Sequence, residues 1–318
     1  MHTLILGCGY LGGRVARLWR AAGHRVTVVT RRASRSGELA AAGYEPLVAD
    51  VTQPESLDSL PAADVVLMAV GYDRASGRTQ REVYVDGLRA VLDHLPDATG
   101  RIVYISSTGV YGQTDGSWVD EQSPTVPDYE GGRACLAAEA LLREHPLGAR
   151  SVVLRLAGIY GPGRVPRDRD VREGLPLAAA ADGWVNLIHV DDAARVVVAA
   201  AERATLPSRL VVADGCPVRR RDFYAYWARL AGLPAPRFVD SPDLPASEST
   251  GTQRIEPSPP SAADGANRPA AHGRGGRSDK RVRAARVWSA LELAPEFPSY
   301  REGLADVAAR VVGNGGDS

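Results

Sequence analysis

The stretch LILGCGYLGGRVA, residues 4–16, sets Gly7, Gly9 and Gly12 in G-x-G-x-x-G order between an apolar run and a segment of helical periodicity. A glycine at the first place permits a tight turn. At the second it lets a pyrophosphate approach the backbone, and at the third it lets the helix pack closely on the strand. The helix N-terminus then faces the phosphates. The loop, with Tyr10 and Leu11 inside it, is expected to bind a dinucleotide if a strand precedes it and βαβ alternation follows. An ordinary glycine-rich turn is the alternative.

That context is present. The runs TLILG, HRVTVVT, EPLVAD, DVVLMAVG, RIVYISS and SVVLRLAGIYG are nearly continuously apolar and alternate with helical patterns. Strands buried on both faces read this way, and right-handed crossovers between them give a parallel sheet. After Gly12, the spacing of Val15, Leu18, Trp19 and Ala22 predicts a helix with one stripe on that sheet. WVNLIHVDDAARVVVAAAE and RLVVAD supply a further helix and strand. The expected fold class is α/β: a Rossmann-type doubly wound parallel sheet with a smaller C-terminal substrate lobe. Residues 1–156 and 186–213 are assigned to the nucleotide domain, and 157–185, 214–240 and 280–312 to the lobe. From Ser241 to Asp279 the chain is rich in Pro, Ser, Gly and Ala, with almost no large apolar residues. Such a segment cannot bury enough surface to offset its ordering entropy, so a disordered insert is expected there. Order should resume at Lys280, with Val282, Val287, Trp288, Leu291, Leu304, Val307 and Val311 able to face a core, before a flexible tail at 313–318.

Roughly 20 residues past the glycine loop, an Asp or Glu would hold the adenosine ribose of NAD. Here the chain reads VVTRRASR. Arg31, Arg32 and Arg35 cannot accept a ribose hydroxyl, but a guanidinium fork matches a 2′-phosphate. NADP is therefore favoured over NAD, with a solvated basic turn as the alternative. Asp50, at the end of the next strand, is an adenine contact or a strand-end cap. Val51 beside it and Ala69 after DVVLM complete the expected cofactor contacts.

Formal net charge is zero, with 38 basic and 38 acidic residues. No global field then draws the chain to nucleic acid or an anionic membrane, and a small-molecule substrate is the default partner. Cys8, Cys135 and Cys216 lie far apart and show no metal-ligand spacing, so neither a disulfide framework nor a metal site is expected. The chain runs from Met1 straight into an apolar strand and holds no apolar run of membrane-spanning length. A cytoplasmic monomer or homodimer is the expectation.

Four segments together resemble the short-chain dehydrogenase/reductase superfamily, in its extended branch of nucleotide-sugar epimerases and dehydratases: GCGYLG from Gly7, YISSTGVYG from Tyr104, LRLAGIYGPGR from Leu154 and NLIHVDDAA from Asn186. The branch's usual loop is the wider G-x-x-G-x-x-G, and the narrower form here is similar to an atypical subgroup. The resemblance implies that Ser107 hydrogen-bonds the reacting oxygen. It also places Thr108, Tyr111, Tyr160 and Arg164 toward a substrate, and His189 with Asp191 and Asp192 at a helix start.

The family frame P-x-x-P-x-x-x-Y-x-x-x-K-x-x-x-E fits without a gap from Pro124 and Pro127 to Glu139, and puts Gly131 at tyrosine and Cys135 at lysine. In the family that tyrosine moves the carbonyl proton and the lysine lowers its pKa. Tyr129 and Arg133 preserve the tyrosine-to-cation spacing two residues earlier. On a helix, two residues turn a side chain by roughly 200°. The shift therefore requires Gly131-Gly132 to keep the segment out of helix, and Ser107 is expected to matter more than Tyr129. Two readings follow: an NADP-linked oxidoreductase or epimerase-like enzyme on a small carbonyl or hydroxyl compound, sugar-nucleotides included, or a non-catalytic dinucleotide redox sensor. Fold alone does not choose between them.

Overall fold

A computed structural model describes residues 1–239 and 278–313. The seven expected strands form one parallel sheet: β1 (His2–Leu6), β2 (Arg25–Thr30), β3 (Glu45–Val48), β4 (Val65–Met68), β5 (Arg101–Ser107), β6 (Ser151–Leu156) and β7 (Arg209–Val212). Their order across the sheet is β7-β6-β5-β4-β1-β2-β3. The order reverses at β1, so a crevice opens at its carboxyl end, beside β4. Side chains along each strand alternate between two cores. Ile5, Val28, Leu67 and Val103 pack with Val15 and Trp19 of α1 (Gly12–Ala21) and with the Val190–Glu202 helix. Leu4, Leu6, Val66 and Ile102 pack with α3 (Gly87–His94) and α4 (Glu130–Glu144), α2 being Ser36–Ala41.

Two local expectations are corrected. β3 is an edge strand with Glu45 and Val48 exposed, so it is not buried on both faces. On α1 the buried stripe is Gly12, Val15, Ala16 and Trp19; Leu18 is exposed, and Ala22 caps the helix end.

Beyond β6 the chain leaves the main sheet. Gly158–Tyr160 pairs with Leu187–His189, and a third core gathers Tyr160, Leu177, Phe223, Trp227, Tyr300 and Leu304. The Tyr300–Gly313 helix packs there. Val282, Val287, Leu291, Leu304 and Val307 are buried, whereas Trp288 is half-buried and donates its indole N–H to the Ala213 carbonyl. The side chain of Val311 and residues 314–318 lie outside the described residues. Most of the expected insert does too, but Ser278 and Asp279 at its end are placed: the Asp279 carboxylate accepts the Trp184 N–H at 2.8 Å, and its carbonyl accepts the Gly116 N–H.

Candidate functional site

The glycine loop lies at the carboxyl end of β1. Gly7 has φ +101°, and a side chain there would strike the Ala69 carbonyl; a side chain on Gly12 would strike the Gly7 carbonyl. The fold itself demands both. Gly9 differs, because a methyl group on it would meet nothing within 4 Å. That open space is the cradle a pyrophosphate would fill. The α1 N-terminus beside it carries no capping side chain and no acidic residue in its first turn, leaving its N–H dipoles for an anion. Leu11 is buried. Tyr10 ties the loop to the segment after β6: its hydroxyl donates to the Pro162 carbonyl at 3.0 Å, and Arg14 and Arg164 lie 4.2 and 5.3 Å from its ring centre. Burial pushes this phenol up to about 12 against the pull of the two guanidinium groups.

At the end of β2, Arg31 reaches across the carboxyl end of β1 to Asp73, beyond β4, at 3.4 Å. Arg32 is exposed and has no ion-pair partner among the described residues. Arg35 lies 3.9 Å from the Glu38 carboxylate, and its charge and that of Arg17 oppose the upward push of burial on the Cys8 thiol. Asp50 accepts from the Thr52 N–H and hydroxyl, both at 2.9 Å, so that oxygen caps the strand end. Val51 is buried and Ala69 borders Gly7.

The carboxyl end of β5 carries the candidate chemistry. Ser106 donates to Glu139 at 2.6 Å and is buried. Ser107 is half-buried; its Oγ accepts the Gly109 N–H at 3.0 Å, which leaves its own proton to donate outward. Tyr129 stands just outside α4, in extended backbone at φ −126° and ψ 160°. A methyl group on Gly109 would collide with the Tyr129 hydroxyl and lie 3.2 Å from Ser107 Oγ, so the two hydroxyls are within about 5 Å of each other. A methyl group on Gly131 would lie 3.0 Å from the Tyr129 ring, and one on Gly132 would collide with the Gly109 carbonyl. The tyrosine ring thus lies beside Gly131, where the frame's own tyrosine would begin. Both glycines are helical, against the expectation that they keep the segment out of helix: they leave room by having no side chain and do not unwind the segment. Arg133 is solvent-exposed, one turn into α4. Cys135 is buried near Tyr104.

Behind this pair, Glu139 and Arg155 form a buried two-pronged ion pair at 2.6 and 2.9 Å, and Arg155 donates at 2.9 Å to the Tyr111 hydroxyl. Tyr111 is 1% exposed. It and Thr108, both expected at a substrate, face inward, because the Arg155 fork and the tight 108–110 turn hold them there. Tyr160 is also buried, between His189 and Phe223, with its hydroxyl donating to the Ser299 carbonyl at 3.3 Å. His189 Nδ1 caps the following helix by accepting the Asp191 N–H, and burial lowers its pKa. Asp192 accepts the Glu296 and Phe297 N–H groups and pairs with Arg195. Asp73 and Lys280 were missed in the sequence: neither sits in a motif, although Lys280 carries a compositional signal. Among the described residues no group of three His, Cys, Asp or Glu could hold a metal, and no helix is long and apolar enough to cross a membrane.

A doubly wound sheet with a glycine loop at its switch point and a serine at the end of β5 defines a dinucleotide-fold protein of the epimerase and reductase type. The chain belongs to the NAD dependent epimerase/dehydratase family, whose model matches residues 3–213. It is 30% identical to protein YeeZ of Escherichia coli over 249 residues, 75% of this chain and 87% of that protein. It is 28% identical to a 3-diazoavenalumate denitrifying reductase of Streptomyces over 260 residues, 74% and 84% of the two chains. A conserved protein of unknown function from Silicibacter pomeroyi shares its fold with a TM-score of 0.73 and 29% identity, covering 98% of this chain and 99% of the other. MoeE5 in complex with UDP-glucuronic acid and NAD, 22% identical with a TM-score of 0.71 over 98% and 99% of the two chains, shares the fold. The resemblance to extended short-chain dehydrogenases/reductases is thereby borne out at the level of the family.

Proposed function

We propose that this protein is an NADP-linked reductase of a small carbonyl compound, with Tyr129 as the proton donor and Ser107 as the hydrogen-bond donor to the reacting oxygen. The observation that carries the reading is the approach of the two hydroxyls over Gly109, which restores a serine–tyrosine pair in a chain with glycine at the family's tyrosine position. A reductase among the relatives supports reading the net reaction as reduction. Gly7, Gly9 and Gly12 would receive the pyrophosphate, and Arg32 and Arg35 the 2′-phosphate. Reduced nicotinamide held there would supply the hydride. Ser107, its oxygen already engaged by the Gly109 N–H, points its proton at the carbonyl oxygen. As that oxygen gains charge, Tyr129 gives up its phenolic proton to it and recovers one from solvent. Arg164, half-buried over the Tyr10 ring, is the candidate cation on the substrate side. Titrations with NADPH and NADH, followed by a screen of carbonyl compounds for loss of nicotinamide absorbance, test the reading. Tight NADPH binding with turnover of at least one compound is expected. Binding with no turnover across a broad panel points instead to a redox sensor.

A further inference from the structure

Of the 38 basic residues in the sequence, Lys280 alone is lysine. A chain that uses arginine at every other cationic position and an ammonium at one signals a geometric demand there: a slim stem and a compact head with three rotatable donors, in place of a planar fork. The residue is 6% exposed. Its Nζ donates to the Tyr111 carbonyl and to the Ser278 hydroxyl, each at 2.7 Å. Taking an ammonium out of water is costly unless its donors are engaged, so so deep a burial fixes this contact set tightly.

The main chain around Lys280 is equally tied. Asn186 Nδ2 donates to the Lys280 carbonyl at 2.8 Å, and Asn186 Oδ1 accepts the Val282 N–H at 2.7 Å. The Asn186 carbonyl in turn accepts the Gly158 N–H, and Arg281–Val282 pairs in parallel with Trp118–Val119. Lys280 therefore stands between the segment leaving β5 at Tyr111 and the segment leaving β6 at Gly158. β5 and β6 are neighbours in the sheet, and their carboxyl ends form the rim where open α/β sheets receive ligands.

We propose that Lys280 is a positioning residue for the Ser107–Tyr129 pair, a role that rests on the reading of those two hydroxyls given above. Two buried cations grip Tyr111 from opposite ends: Arg155 holds its phenol and Lys280 its carbonyl. Within the turn from Ser107 to Tyr111, a single 3-10 turn at Thr108–Val110, the Gly109 N–H meets Ser107 Oγ at 3.0 Å and the Tyr111 N–H meets the Thr108 carbonyl at 3.2 Å. Anchoring Tyr111 holds the far end of that turn. The same anchor, through Asn186, sets its distance from the segment that follows β6. Loss of the ammonium frees the turn while leaving the glycine loop untouched.

Peptide-resolved hydrogen exchange of the full chain, alone and with NADPH, compares the parent with Lys280→Met, Lys280→Arg and Ser278→Ala. Lys280→Met is expected to speed exchange across 105–113 by about ten-fold or more while residues 2–14 and the NADPH Kd stay within about two-fold. With any carbonyl compound the parent reduces, Lys280→Met is expected to lower kcat by about ten-fold or more with little change in KM, and Lys280→Arg not to restore it. Should Lys280→Met fail to fold, Ser278→Ala removes one acceptor only and is expected to speed exchange at 105–113 by about two- to five-fold. Unchanged exchange at 105–113, an equal rise across the whole sheet, or full restoration by Lys280→Arg overturns the proposal. A parent that binds no NADPH sinks the nucleotide reading and leaves the exchange comparison standing.

Discussion

The hydroxyls of Tyr129 and Ser107 meet over the α-carbon of Gly109, within about 5 Å of each other. Three absent side chains make this possible. Gly109 leaves room for the phenol, Gly131 for the ring, and Gly132 lets the start of α4 seat on the Gly109 carbonyl.

Gly109→Ala is therefore expected to separate function from stability. The new methyl would land on the Tyr129 hydroxyl, the far end of a side chain and not backbone, so Tm should fall by only a few degrees. Turnover should fall about 100-fold, as for loss of a positioned donor. Gly132→Ala is expected to do the reverse, because its methyl would strike backbone: a loss of roughly 1–3 kcal/mol in denaturant unfolding.

Cofactor preference should depend more on Arg32 than on Arg31, since Arg31 is engaged by Asp73 and Arg32 has no ion-pair partner among the described residues. Arg32→Ala is expected to weaken NADPH by about ten-fold or more and to leave NADH within about two-fold. Asp73→Asn releases Arg31 and should tighten NADPH by up to about five-fold, the range of an exposed ion pair. Fluorescence titration reads both; equal NADPH and NADH affinities in the parent would refute the preference.

Asp214, just past the end of β7, is held up to about 8 chiefly by burial, and its Oδ2 has no hydrogen-bond partner among the described residues. A carboxyl whose pKa is raised by folding contributes stability that is complete below its unfolded value, about 4, and is lost as pH rises through the folded one. Tm should thus decline between about pH 4 and pH 8 by this group's contribution. Asp214→Asn keeps an acceptor for the Cys216 N–H and is expected to melt higher than the parent at about pH 8.5, with the gap closing by about pH 5. Parallel pH–Tm curves for the two proteins would show that Asp214 is not the group involved.

The sheet was legible because each strand except β3 is a nearly unbroken apolar run, and the glycine loop because Gly7 and Gly12 answer to backbone contacts that any such turn makes. Burial around the site was not. Tyr111 and Tyr160 sit in motifs that suggest a substrate, yet Arg155 and the third core hold them inside. The fate of Tyr129 hung on one backbone conformation: a helix beginning one residue earlier would have turned its ring away, and sequence does not fix a helix start that closely. Lys280 was visible in the composition as the single lysine, but two of its partners, Tyr111 and Asn186, lie 169 and 94 residues away in the chain.

The proposed reading places the proton donor at Tyr129 in place of position 131. Its most direct test is the single-turnover oxidation of stoichiometrically bound NADPH by a carbonyl compound that the parent reduces, compared with Tyr129→Phe. An unchanged NADPH Kd is expected, with a rate lower by about 100- to 1000-fold, a loss as large as that from Ser107→Ala. A Tyr129→Phe protein that oxidises NADPH as fast as the parent, while Ser107→Ala does not, would contradict it.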